Sequence, residues 1–201
     1  VIAELQNGPG DIAVNGTHVY WASVGDGTIA RAPLDGKGAE IVVTGLAMPW
    51  SLAVTDQSLA WTDNSTGEVT VMALDGAGAK VVVGKTEGAW GVALGSTHVY
   101  WTTLFYQQLL RAPIAGGAAE TLAEGISSPQ DLALSGDRVF FGTASDAGVY
   151  STPVTGGATT KLTESGGFGV AADDTHVYFG EYDGRLARVP LGGGAVEILG
   201  L

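Results

Sequence analysis

The sequence contains no cysteine, which excludes disulfide bonds and cysteine-ligated zinc sites. No stretch approaches the ~20 apolar residues of a membrane-spanning helix, and no basic-then-apolar signal segment is recognisable. Basic residues are scarce: 9 Lys and Arg face 21 Asp and Glu, so the formal net charge is −12. Such an acidic chain repels nucleic acid and anionic lipid, so we expect neither as a partner and expect no membrane insertion.

An aromatic-rich sequence motif occurs five times, and the segments around each copy follow the same order along the chain. Its last aromatic residue falls at positions 21, 61, 101, 141 and 179, a spacing of 40, 40, 40 and 38. The members are Trp21, Trp61, Trp101, Phe141 and Phe179. A repeat of this regularity without a linker favours one domain over residues 1–201. The repeats are approximately 9–46, 47–86, 87–126, 127–165 and 166–201.

Each repeat predicts four short strands, A to D. In the first repeat these are residues 11–14, 18–22, 28–34 and 39–43, and Asn15-Gly16 is a strong hairpin signal between the first two. Strand A of the later repeats is predicted at 51–55, 91–94, 131–134 and 168–172. Glycine interrupts the apolar runs too often for helices.

Four-stranded units of about 40 residues, each unable to cover its own faces, stack around an axis as a β-propeller. The sequence therefore predicts an all-β, five-bladed β-propeller of four-stranded antiparallel blades, with a β-solenoid as a minor alternative. The recurring aromatics are expected to be core residues between neighbouring blades.

The two ends together contain one D-type strand too many. Both Val1–Leu5 and residues 195–199 have the D pattern. Residues 1–8 are therefore an extra or a closing strand. Either Val1–Leu5 completes the last blade and leaves 195–201 loose or added, or it is itself an added edge. A lost sixth blade is the other explanation. An unpaired edge strand would permit homo-oligomerisation.

Several short segments resemble the YWTD repeat, the class B repeat of low-density-lipoprotein receptors. They are Ala60-Trp61-Thr62-Asp63, Leu74-Asp75-Gly76 and Tyr100-Trp101-Thr102, and the resemblance covers every repeat. It implies a propeller that binds proteins outside the cell or in the cell envelope. The motif aspartate occurs only at Asp63, and five repeats differ from the six usual for the family, so a bacterial secreted relative fits as well.

The residue that enters strand A varies from repeat to repeat, and we expect this position at the mouth of a central channel. Aromatic rings beside carboxylates and amides at a concave mouth suit a sugar ring or a cationic or apolar peptide side chain. The B-to-C loops vary equally. The candidate ligand-binding residues are Trp50, Trp90, Gln130, Phe168, Asp11, Asp131, Phe105, Tyr106, Tyr182 and Asp183. Alternatively, Trp50, Trp90 and Phe168 only plug the channel, and Phe105 and Tyr106 pack on an adjacent blade.

The remaining polar residues predict structural roles. The three histidines share the first position of strand B: His18, His98 and His176. Three arginines share one register in strand C, where we expect them to pair with acids of neighbouring blades: Arg31, Arg111 and Arg188. No phosphate loop, nucleophile elbow or zinc spacing is present, so no cofactor or metal is expected.

The favoured hypothesis is a non-catalytic binding module for a glycan or a protein. The first alternative is a five-bladed glycoside hydrolase with Asp11 and Asp131 as its carboxylate pair. The second is a structural or engineered assembly piece with no small ligand.

Overall fold

The computed structural model describes residues 6–75, 78 and 80–200. It contains five four-stranded antiparallel sheets in a propeller arrangement, and no helix is present in the described part of the chain. The predicted fold class is confirmed. Each sheet follows the chain order of its strands, so every connection within a sheet is a short hairpin.

The strands of the first two sheets are β1 (Pro9–Val14), β2 (His18–Ser23), β3 (Thr28–Pro33), β4 (Glu40–Val43), β5 (Pro49–Val54), β6 (Ser58–Asp63), β7 (Glu68–Ala73) and β8 (Lys80–Lys85). The third sheet contains β9 (Ala89–Leu94), β10 (His98–Thr103), β11 (Gln108–Pro113) and β12 (Glu120–Ala123). The last two contain β13 (Pro129–Ser135), β14 (Arg138–Thr143), β15 (Gly148–Pro153), β16 (Thr160–Thr163), β17 (Phe168–Ala172), β18 (His176–Gly180), β19 (Leu186–Pro190) and β20 (Glu197–Gly200).

Strand A begins two residues earlier than predicted in the first four repeats. In the second and fourth, the register shifts between Pro49 and Leu52 and between Pro129 and Leu132. A bulge at this point lets proline, which has no N–H, sit at the start of an edge strand. The sequence pattern showed only the regular part after the bulge.

The chain divides into two compact units, Val1–Val99 with Ala112–Ala119, and Tyr100–Arg111 with Glu120–Leu201. The first unit has a core between the first and second sheets. The first sheet contributes Tyr20, Ala22, Ile29 and Val43, and the second contributes Leu52, Leu59, Trp61 and Met72. Trp61 is 2% exposed, which confirms the predicted core role of this aromatic, and its truncation to alanine would cost about 3–5 kcal/mol.

The second unit repeats this packing between its fourth and fifth sheets. The residues of this core are Phe140, Val149, Leu162, Val170, Val177, Phe179, Ala187 and Val189. In both units the middle strands are buried on both faces, as their continuous β-branched and aromatic runs predict. In each unit, one apolar layer therefore lies between two consecutive sheets.

The predicted arginine pairing was wrong. Arg31, Arg111 and Arg188 pair with Glu40, Glu120 and Glu197, which lie directly opposite them on strand D of the same sheet. Residues directly opposite each other on neighbouring strands lie within side-chain reach, so opposite charges at these positions pair. These pairs are partly exposed, and each contributes at most about 1 kcal/mol.

One explanation of the chain ends was also wrong. Strand β20 pairs with β19 through Leu186–Gly200, Ala187–Ile198 and Arg188–Glu197, so residues 197–200 form the outer strand of the fifth sheet and are not loose. Val1–Leu5, the proposed extra or closing strand, lies outside the described residues.

Candidate functional site

The repeat threonine after Trp61 fixes the backbone at the variable position of the next sheet. Thr62 Oγ1 donates to the carbonyl of Trp90 at 2.7 Å and accepts the N–H of Ser51 at 3.2 Å. Thr102 Oγ1 donates in the same way to the carbonyl of Gln130 at 2.7 Å. Both threonines are fully buried, so these bonds are shielded from water. The main chain at residues 90 and 130 is thus held while the side chain is left free to differ.

The motif aspartate organises the turn beside this position. Asp63 is 4% exposed, and one oxygen accepts the N–H groups of Ala47 and Met48 at 2.8 and 3.1 Å. The other oxygen accepts those of Ser65 and Thr66 at 3.2 and 3.1 Å. Four backbone donors satisfy the buried charge.

The first unit brings two sequence-predicted aromatics into contact. The ring centroids of Trp50 and Trp90 lie 4.6 Å apart with an interplanar angle of 47°. Both side chains are partly exposed, and each stands near the start of a strand A. Gly10 holds the equivalent position in the first repeat, where a Cβ atom would lie 3.0 Å from the carbonyl oxygen of Trp50. The pair is a partly solvated aromatic surface on a held backbone.

Asp11 belongs to a hydrogen-bond chain that links strands β1, β5 and β9. Its Oδ1 accepts the N–H of Ile12 at 2.7 Å, and its Oδ2 accepts the N–H of Leu52 at 2.8 Å and the hydroxyl of Ser51 at 3.1 Å. Ser51 Oγ in turn accepts the N–H of Val92 at 3.2 Å. Oδ2 therefore connects the first sheet to the second, while Oδ1 is occupied by the next residue of its own strand.

Asp131 has the corresponding place in the second unit. Its Oδ1 accepts the N–H of Leu132 at 2.9 Å, and its Oδ2 accepts the N–H of Val170 at 3.3 Å. The neighbouring Gln130 donates through Nε2 to the carbonyl of Ser128 at 3.3 Å. In both places, the Oδ2 atom of a strand A aspartate accepts a backbone N–H from strand A of the following sheet.

The second unit also has an aromatic pair. Phe168 and Tyr182 make an edge-to-face contact at 4.6 Å, and both are exposed. The Tyr182 hydroxyl donates to the carbonyl of Ala144. Asp183 forms an ion pair with Arg185 at 2.7 Å, and this guanidinium lowers the pKa of the Asp183 carboxyl.

Phe105 and Tyr106 lie in the turn between β10 and β11 and are 69% and 55% exposed. The following Gln107 has a φ of +55°, in the left-handed region that tight turns use. More than half of each side chain is therefore open to solvent.

The structure thus brings Trp50 to Trp90, and Phe168 to Tyr182, within their own units. Sequence reasoning missed the connectors Ser51, Thr62 and Thr102. The sequence does contain one indication of Thr62 and Thr102, because a threonine directly follows the tryptophan in the second and third repeats.

The histidines occupy one register position, as predicted. The Nδ1 atoms of His18, His98 and His176 lie 2.8, 2.9 and 2.8 Å from the hydroxyl of the threonine before each of them. Among the residues that the structure describes, no group of three or more His, Cys, Asp or Glu side chains is placed to hold a metal ion. Within the same residues, no helix has the length and apolar character needed to span a membrane.

Solved structures share this fold at low sequence identity. A nidogen–laminin complex matches with a TM-score of 0.82 and 18% identity, covering 93% of this chain and 77% of the other. A streptogramin B lyase matches with a TM-score of 0.82 and 15% identity, covering 99% and 71%. The computationally designed Ika8 protein matches with a TM-score of 0.72 and 18% identity, covering 95% and 60%.

No protein-family model and no curated protein matches the sequence. At these identities the structural likeness establishes the β-propeller fold alone. The three similar structures include a protein complex, an enzyme and a design, so the fold leaves the function open.

Proposed function

We propose that this protein is a non-catalytic binding module that recognises a glycan or a protein. The ligand group is a sugar ring or an apolar or cationic peptide side chain, held against the Trp50–Trp90 pair. The extracellular space or the cell envelope is the proposed location, from the resemblance to YWTD repeats.

The contact between Trp50 and Trp90 carries the proposal. The two indole rings contact each other and remain partly exposed, so together they present one aromatic surface on which a flat or compact group can pack. Aromatic faces attract the C–H surfaces of sugars and the charge of a cation. Because the Trp90 carbonyl is fastened by Thr62, the backbone beneath that ring is ordered before a ligand arrives.

The net charge selects among ligands. At −12, the protein repels anionic glycans and acidic peptides, so neutral or cationic ligands are favoured.

The bonding of Asp11 and Asp131 supports a binding role over the glycoside hydrolase alternative. A general acid or nucleophile needs an oxygen directed at substrate. In both residues, each carboxylate oxygen already accepts at least one backbone N–H. The shared register of the histidines likewise supports roles tied to the repeat. Among the similar structures, the nidogen–laminin complex is an example of a protein partner for such a fold.

The test begins with glycan and peptide arrays and continues with isothermal titration of the strongest hit. Trp50→Ala and Trp90→Ala each remove one ring, and we expect each to weaken binding at least about tenfold. Phe105→Ala is the matched control, because it removes an exposed aromatic from the other unit and should leave the affinity unchanged. Circular dichroism of each variant confirms that the fold is intact.

Two results would contradict the proposal. One is a ligand whose affinity is the same in both tryptophan variants and the wild type. The other is a ligand lost only in Phe105→Ala, which would place the binding surface at the β10–β11 turn.

A further inference from the structure

Two carboxylates of the first unit bond to the main chain two residues on either side of Trp50. Asp11 Oδ2 accepts the N–H of Leu52 at 2.8 Å, and Asp63 Oδ2 accepts that of Met48 at 3.1 Å. The donors to both residues are neutral N–H and O–H groups. Within the part of the chain that the structure describes, no lysine or arginine forms an ion pair with either carboxylate. Neutral donors stabilise a carboxylate without cancelling its charge, so both negative charges remain.

A third carboxylate lies in the connection that leads into Trp90. Glu87 is exposed and occupies the tight turn before β9, in which the N–H of Ala89 donates to the carbonyl of Thr86 at 3.0 Å. The corresponding residue of the second repeat is Ala47, so this acid does not belong to the repeat pattern. A charge that the repeated fold does not require indicates a role particular to this position.

The basic side chains of the first unit lie elsewhere on its sheets. They are Arg31, Lys37, Lys80 and Lys85. All four lie on strand C, on strand D or in the turn between them, whereas Trp50 and Trp90 lie on strand A. Three of them already pair with an acid of their own sheet, as Arg31–Glu40, Lys37–Asp35 and Lys85–Glu68. Lys80 lies over the Trp61 ring at 5.8 Å. The carboxylates near the tryptophan pair are therefore left without a compensating cation.

The aromatic pair of the second unit has a different electrostatic setting. Near Phe168 and Tyr182, the acids Glu181 and Asp183 both form ion pairs with Arg185, at 2.7 Å each. A cationic ligand at that pair would have to compete with this guanidinium. The two pairs thus present similar aromatic surfaces with different local charge, and the second pair serves as an internal control.

We propose, building on the binding role given above, that the group held against the Trp50–Trp90 pair is an organic cation, either an alkylammonium or a guanidinium. The indole faces attract a cation, and the carboxylates of Asp11, Asp63 and Glu87 add to that attraction. Asp63 is 4% exposed, and a buried charge is screened by salt less than an exposed one. A neutral sugar gains nothing from these charges, so the surface selects a cation over a sugar.

NMR titration of the indole N–H signals tests the proposal with two probes. Tetramethylammonium is the cation, and tert-butanol is a neutral molecule of similar size. We expect the cation to bind at least about tenfold more tightly. Raising the salt concentration from about 0.02 to about 0.5 M should weaken the binding of the cation and leave that of tert-butanol unchanged.

Glu87→Gln removes one charge at an exposed position, so the fold is not disturbed. It should weaken tetramethylammonium binding about two- to fivefold without changing that of tert-butanol. Asp56→Asn is the matched control, because Asp56 follows β5 at its far end from Trp50. The strand puts about 13 Å between Trp50 and Val54, which exceeds the screening length of about 8 Å at physiological salt. Phe168→Ala should likewise leave cation binding unchanged, whereas Trp90→Ala should abolish it.

The cation can reach this surface as a free amine or as a side chain of a peptide. A Gly-Ser peptide with one central lysine distinguishes the two sources, and the same peptide with norleucine in that place is its neutral control. Tighter binding of the lysine peptide than of tetramethylammonium identifies a peptide as the source. The reverse order identifies a free amine.

Two results would overturn the proposal: equal affinities for tetramethylammonium and tert-butanol, or cation binding that is the same in Trp90→Ala and the wild type. A neutral sugar that outcompetes tetramethylammonium on the tryptophan pair would also refute cation selection, yet it would leave the proposed binding function intact. If neither probe and no member of the glycan and peptide arrays binds at Trp50 and Trp90, the proposed function fails as well.

Discussion

The Ser51 hydroxyl donates a hydrogen bond to Asp11 Oδ2 at 3.1 Å. The hydroxyl oxygen of Ser51 also accepts a hydrogen bond from the N–H of Val92. One hydroxyl therefore connects strand A of three consecutive sheets. Ser51 is 5% exposed, so water does not replace either bond when one is lost.

Ser51→Ala should lower the free energy of unfolding by about 1–3 kcal/mol, because the N–H of Val92 loses its acceptor in a buried place. Urea denaturation followed by tryptophan fluorescence measures the change. Ser65→Ala, at an exposed position in the next turn, is the control and should be nearly neutral. Equal stability of the two variants would show that the Ser51 link is not a stabilising contact.

Asp63→Asn should destabilise the protein by about 3 kcal/mol. The amide keeps one acceptor but turns an N–H₂ group toward two backbone N–H groups, so one of the two donor pairs is left without a partner. Thermal and chemical denaturation both report the loss. Asp137→Asn, which removes the same charge at an exposed position, should change stability by less than about 0.5 kcal/mol. A neutral Asp63→Asn would refute the role assigned to the motif aspartate.

Gly142→Ala should be strongly destabilising, by more than about 2 kcal/mol. A Cβ atom at residue 142 would lie 2.4 Å from the carbonyl oxygen of Gly167, so backbone must move. Gly192→Ala is the control, since nothing lies within 4 Å of its added Cβ. If both variants unfold at the same urea concentration, the close approach at Gly142 is not a constraint on the fold.

The carboxyl of Asp173 should stay ionised at pH values where an ordinary aspartate is protonated. The hydroxyl of Tyr178 donates to it at 2.7 Å, and the backbone N–H groups of His176 and Thr175 also donate, which together hold its pKa well below the usual range. A depressed folded-state pKa stabilises the protein above the unfolded value of about 3.9, and this contribution is lost as the pH falls below it.

Carboxyl-carbon NMR titration measures this pKa directly. Tyr178→Phe removes the largest cause and should move the Asp173 pKa up toward the ordinary value. Tyr182→Phe should leave it in place, because that hydroxyl bonds to the Ala144 carbonyl. An Asp173 pKa that is the same in Tyr178→Phe and the wild type would contradict the assignment.

The fold was predictable because its signals are local and repeated. Asn15-Gly16 predicts a hairpin, and the tight turn is present, with the Asn15 side chain accepting the N–H of His18. The boundaries failed at Pro49 and Pro129, where a bulge interrupts the two-residue alternation from which strands are predicted. The arginine partners failed because the sequence does not show that Glu40 lies opposite Arg31.

The candidate site was predictable only in part. Position in the repeat identified Trp50 and Trp90 as variable residues that share a register, and they do meet. It did not reveal that Asp11 is occupied by donors from the second sheet, because that contact joins residues about 40 positions apart. The exposure of Ile12 was equally invisible, since its sequence context matches that of the buried Leu52.

The bonds from Thr62 and Thr102 reach main-chain carbonyls, which every amino acid possesses. Selection can therefore replace tryptophan by glutamine at this register without rebuilding the strand that follows. Residues 90 and 130 can thus be substituted while the main chain that carries them keeps its bonds, and under the proposed binding role such substitutions would change which ligand is bound.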